Sequence, residues 1–380
     1  MEEHHRTALI HSDRFAQYDL GEDHPFKPVR SQLVYDLAQR HGYLGKPWMR
    51  IEEPCALDDE TISHFHDWSY IHALQEANRG EFRPDMIRYN LGTLECPVVP
   101  GLYDYAVLVA GAGYRAMELT FDDGVRTAFS PLGGMHHAAR NYASGFCYIN
   151  DCGLIIDELL RRGKRVAYID IDAHHGDGVQ KAFYAERRVL KISLHESGET
   201  LFPWGGNERE TGSGRGKGFN VNVPLPEEID DALYILTFDK IVPPLIHAFE
   251  PDVIVAVIGI DTVASDPLTH LCLTNNGFCE VVTRMRDFRR PLIALGGGGY
   301  NLDSLARGWT LAWAIFNGIE PPEDDLGAIG GVLLGQQDLS GGSLRDMHQY
   351  LSGPKREAVE AKLKPVVDYI RREVFPFHGL

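Results

Sequence analysis

The chain is 380 residues long, 44% hydrophobic and 24% charged, with a formal net charge of -17, a balance that supports a large buried core and offers no clustered Lys and Arg for a nucleic-acid backbone. Its longest apolar run, Val253 to Ile260, is far short of the ~18 residues that span a bilayer, and the start Met1-Glu2-Glu3-His4-His5-Arg6 lacks the basic beginning and apolar stretch of a secretory signal. Six cysteines form no Cys-x-x-Cys pair, which argues against a thiolate zinc site or redox motif and leads to the expectation of reduced thiols in a cytoplasmic protein.

Taken in chain order, apolar spacing predicts helices over Pro28 to His41, Thr61 to Asn78 and Leu102 to Leu119, then a strand over Val125 to Phe129. A helix over Asp151 to Arg162 precedes strands at Val166 to Ile171 and Val189 to Leu194. Beyond these come a helix over Asp230 to Phe249, a strand over Val253 to Ile260, a helix over Asn276 to Arg289 and a strand over Pro291 to Leu295. Helices over Asp303 to Phe316 and Lys355 to Arg372 complete the pattern, and the Gly-rich stretch from Gly327 to Gly342 reads as a surface excursion. Strands alternating with longer helices are the signature of βαβ units, so the fold class is α/β with a central, mostly parallel sheet. The polar residues of interest run from His136 to Tyr300 without a Pro/Ser-rich or charged linker. One domain over residues 1–380 is therefore expected, with a C-terminal helix at about 355–373 packed on it.

Open parallel sheets bind ligands beyond the carboxyl ends of their strands, and four strands here end in candidate chemistry. The first leads into Gly133-Gly134-Met135-His136-His137, the second into Asp170, Asp172, His174 and Asp177, the third into Asp261, and the last into Gly296 to Gly299 and Tyr300. Residues two apart on a strand share a face, so Asp170, Asp172 and His174 are expected to project together. Carboxylates buried at a strand end cost several kcal/mol unless paired or bound to a cation, of the order of ~2–7 kcal/mol even for neutral polar groups. Asp172, His174 and Asp261 thus form a candidate metal triad, against the alternative that both acids cap the following helices. His136 and His137 suit proton transfer near neutral pH, or form a buried structural pair. The glycines of 296–299 complete no dinucleotide fingerprint and read as a tight turn presenting Tyr300, either as an oxyanion donor or as an aromatic plug.

Together, Pro131 to His137, Ala143-Ser144-Gly145-Phe146-Cys147-Tyr148-Ile149-Asn150-Asp151, Asp170 to Gly178, Ser193-Leu194-His195, Asp261-Thr262 with Asp266-Pro267, and Gly296 to Tyr300 resemble the zinc-dependent histone deacetylase superfamily. The beginning Asp23-His24-Pro25-Phe26-Lys27-Pro28-Val29-Arg30 is similar to that of its prokaryotic acetoin-utilisation (AcuC-like) branch. The resemblance implies a three-layer arginase-like fold and zinc ligands at Asp172, His174 and Asp261, where a carboxylate-rich set also suits ferrous iron. It places the active-site histidines at His136 and His137, their carboxylate partners at Asp170 and Asp177, and the transition-state tyrosine at Tyr300. It lines an acetyl-lysine tunnel with Gly145, Phe146, Phe202 and Leu268, and sets a rim carboxylate at Glu95 where many eukaryotic relatives have Asp. A structural potassium ion on Asp170, Ser193 and the main-chain carbonyls of Asp172, His174 and Leu194 is also implied, against an ordinary hydrogen-bond network.

The activity so implied is removal of acetyl groups from acetyl-lysine in a protein or peptide by metal-activated water. His137 would serve as base and then acid, His136 as electrostatic support and Tyr300 as oxyanion donor, with no nucleic acid or membrane as partner. The rival closest in chemistry is an acetylpolyamine or other small acetyl-amide amidohydrolase on the same site. A binuclear manganese ureohydrolase shares the Asp-Ala-His pattern of residues 172–174 but would need a second acidic partner beside Asp261, where Thr262 and Val263 stand. A non-catalytic acyl-lysine binder is the reading from a different class.

Overall fold

The computed structural model describes residues 5–320 and 343–380, so the Gly-rich stretch at 327–342 lies outside the described residues. Eight strands form one sheet: β1 (Thr7–Ile10), β2 (Met49–Glu52), β3 (Thr127–Ser130), β4 (Val166–Asp170), β5 (Val189–Glu196), β6 (Asn220–Leu225), β7 (Val253–Val257) and β8 (Leu292–Leu295). They lie in the order β2-β1-β3-β8-β7-β4-β5-β6, and every pairing is parallel. The chain passes from β3 to β4 over the places that β8 and β7 later fill. The four strands predicted to end in chemistry, β3, β8, β7 and β4, are thereby neighbours at the centre of the sheet.

The helices are α1 (Arg30–Arg40), α2 (Asp59–Ser63), α3 (Trp68–Ala77), α4 (Leu102–Phe121), α5 (Asp151–Arg161), α6 (Asp177–Ala182), α7 (Asp231–Phe249), α8 (Asn275–Asp287), α9 (Leu302–Phe316) and α10 (Gly353–Glu373). Strand residues divide between the two faces with period two. Ala167 and Ile169 of β4 and Ile254 and Ala256 of β7 join one apolar core with α1, α7, α8, α9 and α10. Val166 and Tyr168, with Val253, Val255 and Val257, join the other with α3, α4, α5 and α6. The result is the three-layer arrangement expected, helices on both faces of a sheet buried on both sides.

Several expectations are corrected in detail. The single helix read over Thr61 to Asn78 is two helices, because Asp67 is extended (φ -68, ψ 138) and its N–H bonds Arg140 O at 2.9 Å. Strands β1, β2 and β6 were not predicted: the first two have four residues each, and β6 reads Asn-Val-Asn-Val-Pro-Leu, whose Asn and Pro disguise it. The strand read as Val253 to Ile260 ends at Val257, so Ile258 to Ile260 belong to the loop leading to Asp261. Helix α7 is long and apolar enough to cross a membrane although Asp239 and Lys240 interrupt its apolar run. Half of that stretch is buried within the fold, and Leu233, Phe238, Ile241 and Leu245 belong to its core.

Candidate active site

At the end of β4 the strand alternation stops at Asp170, and the next residues turn into a loop before α6. The consequence differs from the shared face expected of Asp170, Asp172 and His174. Asp170 turns to His136, while Asp172 and His174 meet Asp261, which follows β7. The ligand atoms of these three lie within 4.8 Å of one another, and all three residues are buried. His174 Nδ1 is 2.8 Å from Asp261 Oδ2 and 3.2 Å from Asp172 Oδ1. Main-chain N–H groups fix both carboxylates: Gly298 donates to Asp172 Oδ2 at 2.5 Å, His174 to Asp172 Oδ1 at 2.8 Å, and Ala173 to Asp261 Oδ1 at 2.9 Å.

Glycine is required around these carboxylates. A Cβ at Gly298 would stand 2.1 Å from Asp261 Oδ2, and one at Gly259 would stand 2.4 Å from Asp172 Oδ2. Burial alone would lower the pKa of His174, but its bonds to Asp172 and Asp261 outweigh that and raise it to about 10. Burial and the charge of Asp172 raise Asp261 to about 7. A proton on His174 thus holds two carboxylates together. A dication in its place would find two carboxylates and one neutral imidazole, the donor set of an open zinc or ferrous site. The residues fit a metal.

The tandem histidines follow β3. His136 Nδ1 lies 2.8 Å from Asp170 Oδ2, which also accepts the Tyr168 hydroxyl at 2.6 Å, and His137 Nδ1 lies 2.8 Å from Asp177 Oδ1. Their Nε2 atoms face one another at 3.1 Å. The two rings are electrostatically unlike. Burial lowers the pKa of His136, yet the charges of Asp170 and Asp172 raise it to about 9. Burial and the charge of His136 lower His137 to about 4, which Asp177 only partly opposes. Of the two rings, His137 is the one whose surroundings favour the neutral form. Asp151, noted in the sequence only within a motif, accepts the N–H groups of Gly134 (2.9 Å) and Met135 (2.7 Å) and so fixes the turn before the pair.

Tyr300 emerges from the glycine turn as expected, held by two residues that sequence reasoning gave no role. Asp266 accepts its N–H at 2.7 Å. Arg30, fully buried, donates to the carbonyls of Gly297 (2.6 Å) and Gly299, with its guanidinium 4.0 Å from the centre of the Phe26 ring. Arg30 stands in the sequence at the end of the 23–30 motif, and an Arg at the start of a helix carries no signal for such a task. The Tyr300 ring lies 6.1 Å from that of His174 and 5.7 Å from Phe146.

A partly open cavity of about 10 Å³ is lined by residues that include Met135, His136, His137, Phe146, Asp172 and Tyr300. Phe202 lies against His137 and His174, with ring centres 5.1 and 6.5 Å apart. Leu268 is half-buried and does not line that cavity; its N–H is held by Asp266 at 3.0 Å. Glu95 is engaged within the protein, accepting Gly145 N–H at 3.0 Å and Asn90 Nδ2 at 2.7 Å. It clamps the turn in which Gly145 (φ 52) and Phe146 (φ 68) are both left-handed. Asp170 stands opposite Ser193 in the register of β4 and β5. His195 Nε2 bonds Gly206 O at 2.9 Å and must donate, so Ser193 Oγ donates to His195 Nδ1 at 2.8 Å and keeps its lone pairs free.

With this geometry in hand, a model of the histone deacetylase domain matches residues 24–316. Probable histone deacetylase 19 of Zea mays is 38% identical over 322 residues, 84% of this chain and 62% of that protein. Histone deacetylase 1 of Homo sapiens is 37% identical over 322 residues, 84% of this chain and 66% of that protein. The chain thus matches over less than two thirds of the length of these relatives. Among solved structures, an HDAC homolog from Aquifex aeolicus has a TM-score of 0.85 at 32% identity, covering 97% of this chain and 100% of its own. An HDAC homolog complexed with SAHA gives the same values.

Proposed function

The chain belongs to the histone deacetylase family, and from that premise we propose that it is a metal-dependent amidohydrolase removing acetyl groups from acetyl-lysine side chains of proteins or peptides. The observation that carries this reading is the meeting of three functions within one buried space: the Asp172, His174 and Asp261 donors, the neutral base His137, and the Tyr300 phenol. Zinc, or ferrous iron, bound by those three donors would polarise the acetyl carbonyl and bring the pKa of water to ~7.

The chain's own residues do the remaining work. Asp177 holds the proton of His137 on Nδ1, so Nε2 takes the proton of the attacking water and returns it to the leaving amine. His136 stays protonated beside Asp170 and offsets the charge that develops. Tyr300 donates its hydroxyl to the oxygen of the acetyl group as that oxygen becomes negative. Phe146 and Phe202 supply an apolar wall suited to the neutral four-carbon stem of acetyl-lysine, and Glu95 acts at the rim through the Gly145–Phe146 turn.

A potassium ion on Asp170, Ser193 and the carbonyls of Asp172, His174 and Leu194 would brace the loop that carries the metal ligands. The similarity at residues 23–30 supports the AcuC-like branch. The test is hydrolysis of acetyl-lysine peptides against acetylated polyamines by the purified protein, with bound metal counted and a chelator control. Turnover of peptides that is lost with the metal is expected. Turnover of polyamines alone would move the assignment to the small-amide class, and activity untouched by metal removal would overturn it.

A further inference from the structure

A second set of metal-ligating side chains meets at the same edge of the sheet. Glu196, the last residue of β5, has a wholly buried carboxylate that accepts Thr200 Oγ1 at 2.9 Å and the main-chain N–H of His270 at 2.8 Å. The same carboxylate lies 2.8 Å from His270 Nδ1. Glu227, just beyond β6, brings Oε1 to 3.9 Å from that nitrogen, and the ligand atoms of all three residues lie within 4.8 Å of one another. Three separate segments thus converge on two carboxylates and one imidazole, the donor types already met in Asp172, His174 and Asp261.

An ordinary ion pair needs one carboxylate. Here a second is drawn to the same nitrogen, and one proton on His270 leaves a net negative charge against a buried Glu196. A separate observation supplies room on one side of the cluster: a cavity of about 540 Å³ opens at Glu227, lined also by Thr200, Glu199, Glu208 and Glu210, with Lys362 its one cation among the described residues, while Glu196 and His270 lie outside that lining. Because the His270 and Glu227 side chains are partly exposed, water can complete the coordination of an ion held on its other side by the buried Glu196.

We propose that Glu196, Glu227 and His270 form a second metal site, one that takes a transition-metal dication such as zinc. The imidazole selects against magnesium and calcium, which prefer all-oxygen sets. Because the His270 and Glu227 side chains are 55% and 42% exposed, the site is weaker than the buried catalytic set. Its third ligand lies four residues beyond Asp266, the anchor of Tyr300, so occupation would tie that segment to β5 and β6.

The experiment is equilibrium dialysis of the metal-stripped protein against buffered free zinc, with bound zinc counted for the wild type and for His270→Ala, Glu227→Gln and Asp261→Asn. The wild type should bind two equivalents, one tight and one weaker. His270→Ala and Glu227→Gln should weaken only the second, by at least the ~10-fold lost when even an outer partner of a metal ligand is removed. Asp261→Asn should lose the tight equivalent and keep the weak one, which separates this site from the catalytic assignment. A wild type that never exceeds one equivalent, or a second equivalent unchanged in both His270→Ala and Glu227→Gln, would overturn the proposal.

Discussion

Asp266 accepts the main-chain N–H of Tyr300 at 2.7 Å with one oxygen and that of Leu268 at 3.0 Å with the other. A single buried carboxylate therefore sets where the phenol stands relative to Asp172, His174 and Asp261. On the proposed mechanism, removing the phenolic oxygen takes away a hydrogen bond that strengthens only as the acetyl oxygen gains charge. Tyr300→Phe is expected to lower kcat by ~10² to 10³ with KM little changed, and its thermal unfolding should match the wild type. Asp266→Ala should lower kcat in the same direction, and also Tm, because two main-chain donors lose their partner. Near-normal turnover in Tyr300→Phe would take the phenol out of the reaction.

The two histidines should not be equivalent. His137 has its Nδ1 engaged by Asp177 and its pKa lowered to about 4, whereas His136 has its Nδ1 against Asp170 and its pKa raised to about 9. Loss of a general base typically removes ~10² to 10⁴ in rate. His137→Ala should fall in that range, and His136→Gln should cost less because it removes charge but not the proton acceptor. Single-turnover rates on an acetyl-lysine peptide decide the matter, and the reverse order would exchange the roles.

Much of this was legible in the sequence because chemistry and strand ends coincide. A βαβ alternation fixes parallel strands, and parallel strands place their carboxyl ends on one edge, so His136, Asp172, Asp261 and Tyr300 had to share that edge. What pattern could not reach was the divergence of Asp170 from Asp172, since the strand ends between them and period two no longer applies. Arg30 and Asp266 were beyond reach for a different reason. Their partners are main-chain groups of distant segments, which leave no mark on residue type. The edge strand β2, with polar Arg50 and Glu52, reads like a loop for want of a buried second face.

Gly145 offers a test of crowding around the base. A Cβ there would lie 2.4 Å from His137 Cδ2 and 3.0 Å from Phe202, and its φ of 52 belongs to the region that favours glycine. Left-handed backbone in a residue with a side chain costs of order ~1–3 kcal/mol, and the clash must move His137 or Phe202. Gly145→Ala is expected to fold, with kcat reduced at least ~10-fold because a shift of about 1 Å at the base is that costly. Unchanged kcat would mean that the turn is loose and that the Glu95 clamp has no bearing on the base.

Lys191, on β5, is 4% exposed and directs its ammonium at the carbonyls of Phe183 (2.8 Å) and Val189 (3.0 Å). Burial lowers its pKa to about 7, with Glu186 opposing only in part. In the unfolded chain the same group titrates at ~10.4. Between these values the unfolded state binds one more proton than the native state, so stability rises with pH across the window. The contribution is complete above the unfolded value and is lost as pH falls through about 7. The slope from one group is at most ~1.4 kcal/mol per pH unit. Lys191→Met removes it, leaving the opposing slopes of the buried cysteines and tyrosines in both proteins alike. Urea unfolding at pH 7 and pH 9 should therefore show the stability of the wild type relative to Lys191→Met growing by about 1–3 kcal/mol. A gap that stays constant between the two pH values would mean that the ammonium keeps its charge in the native state and is better solvated than its burial suggests.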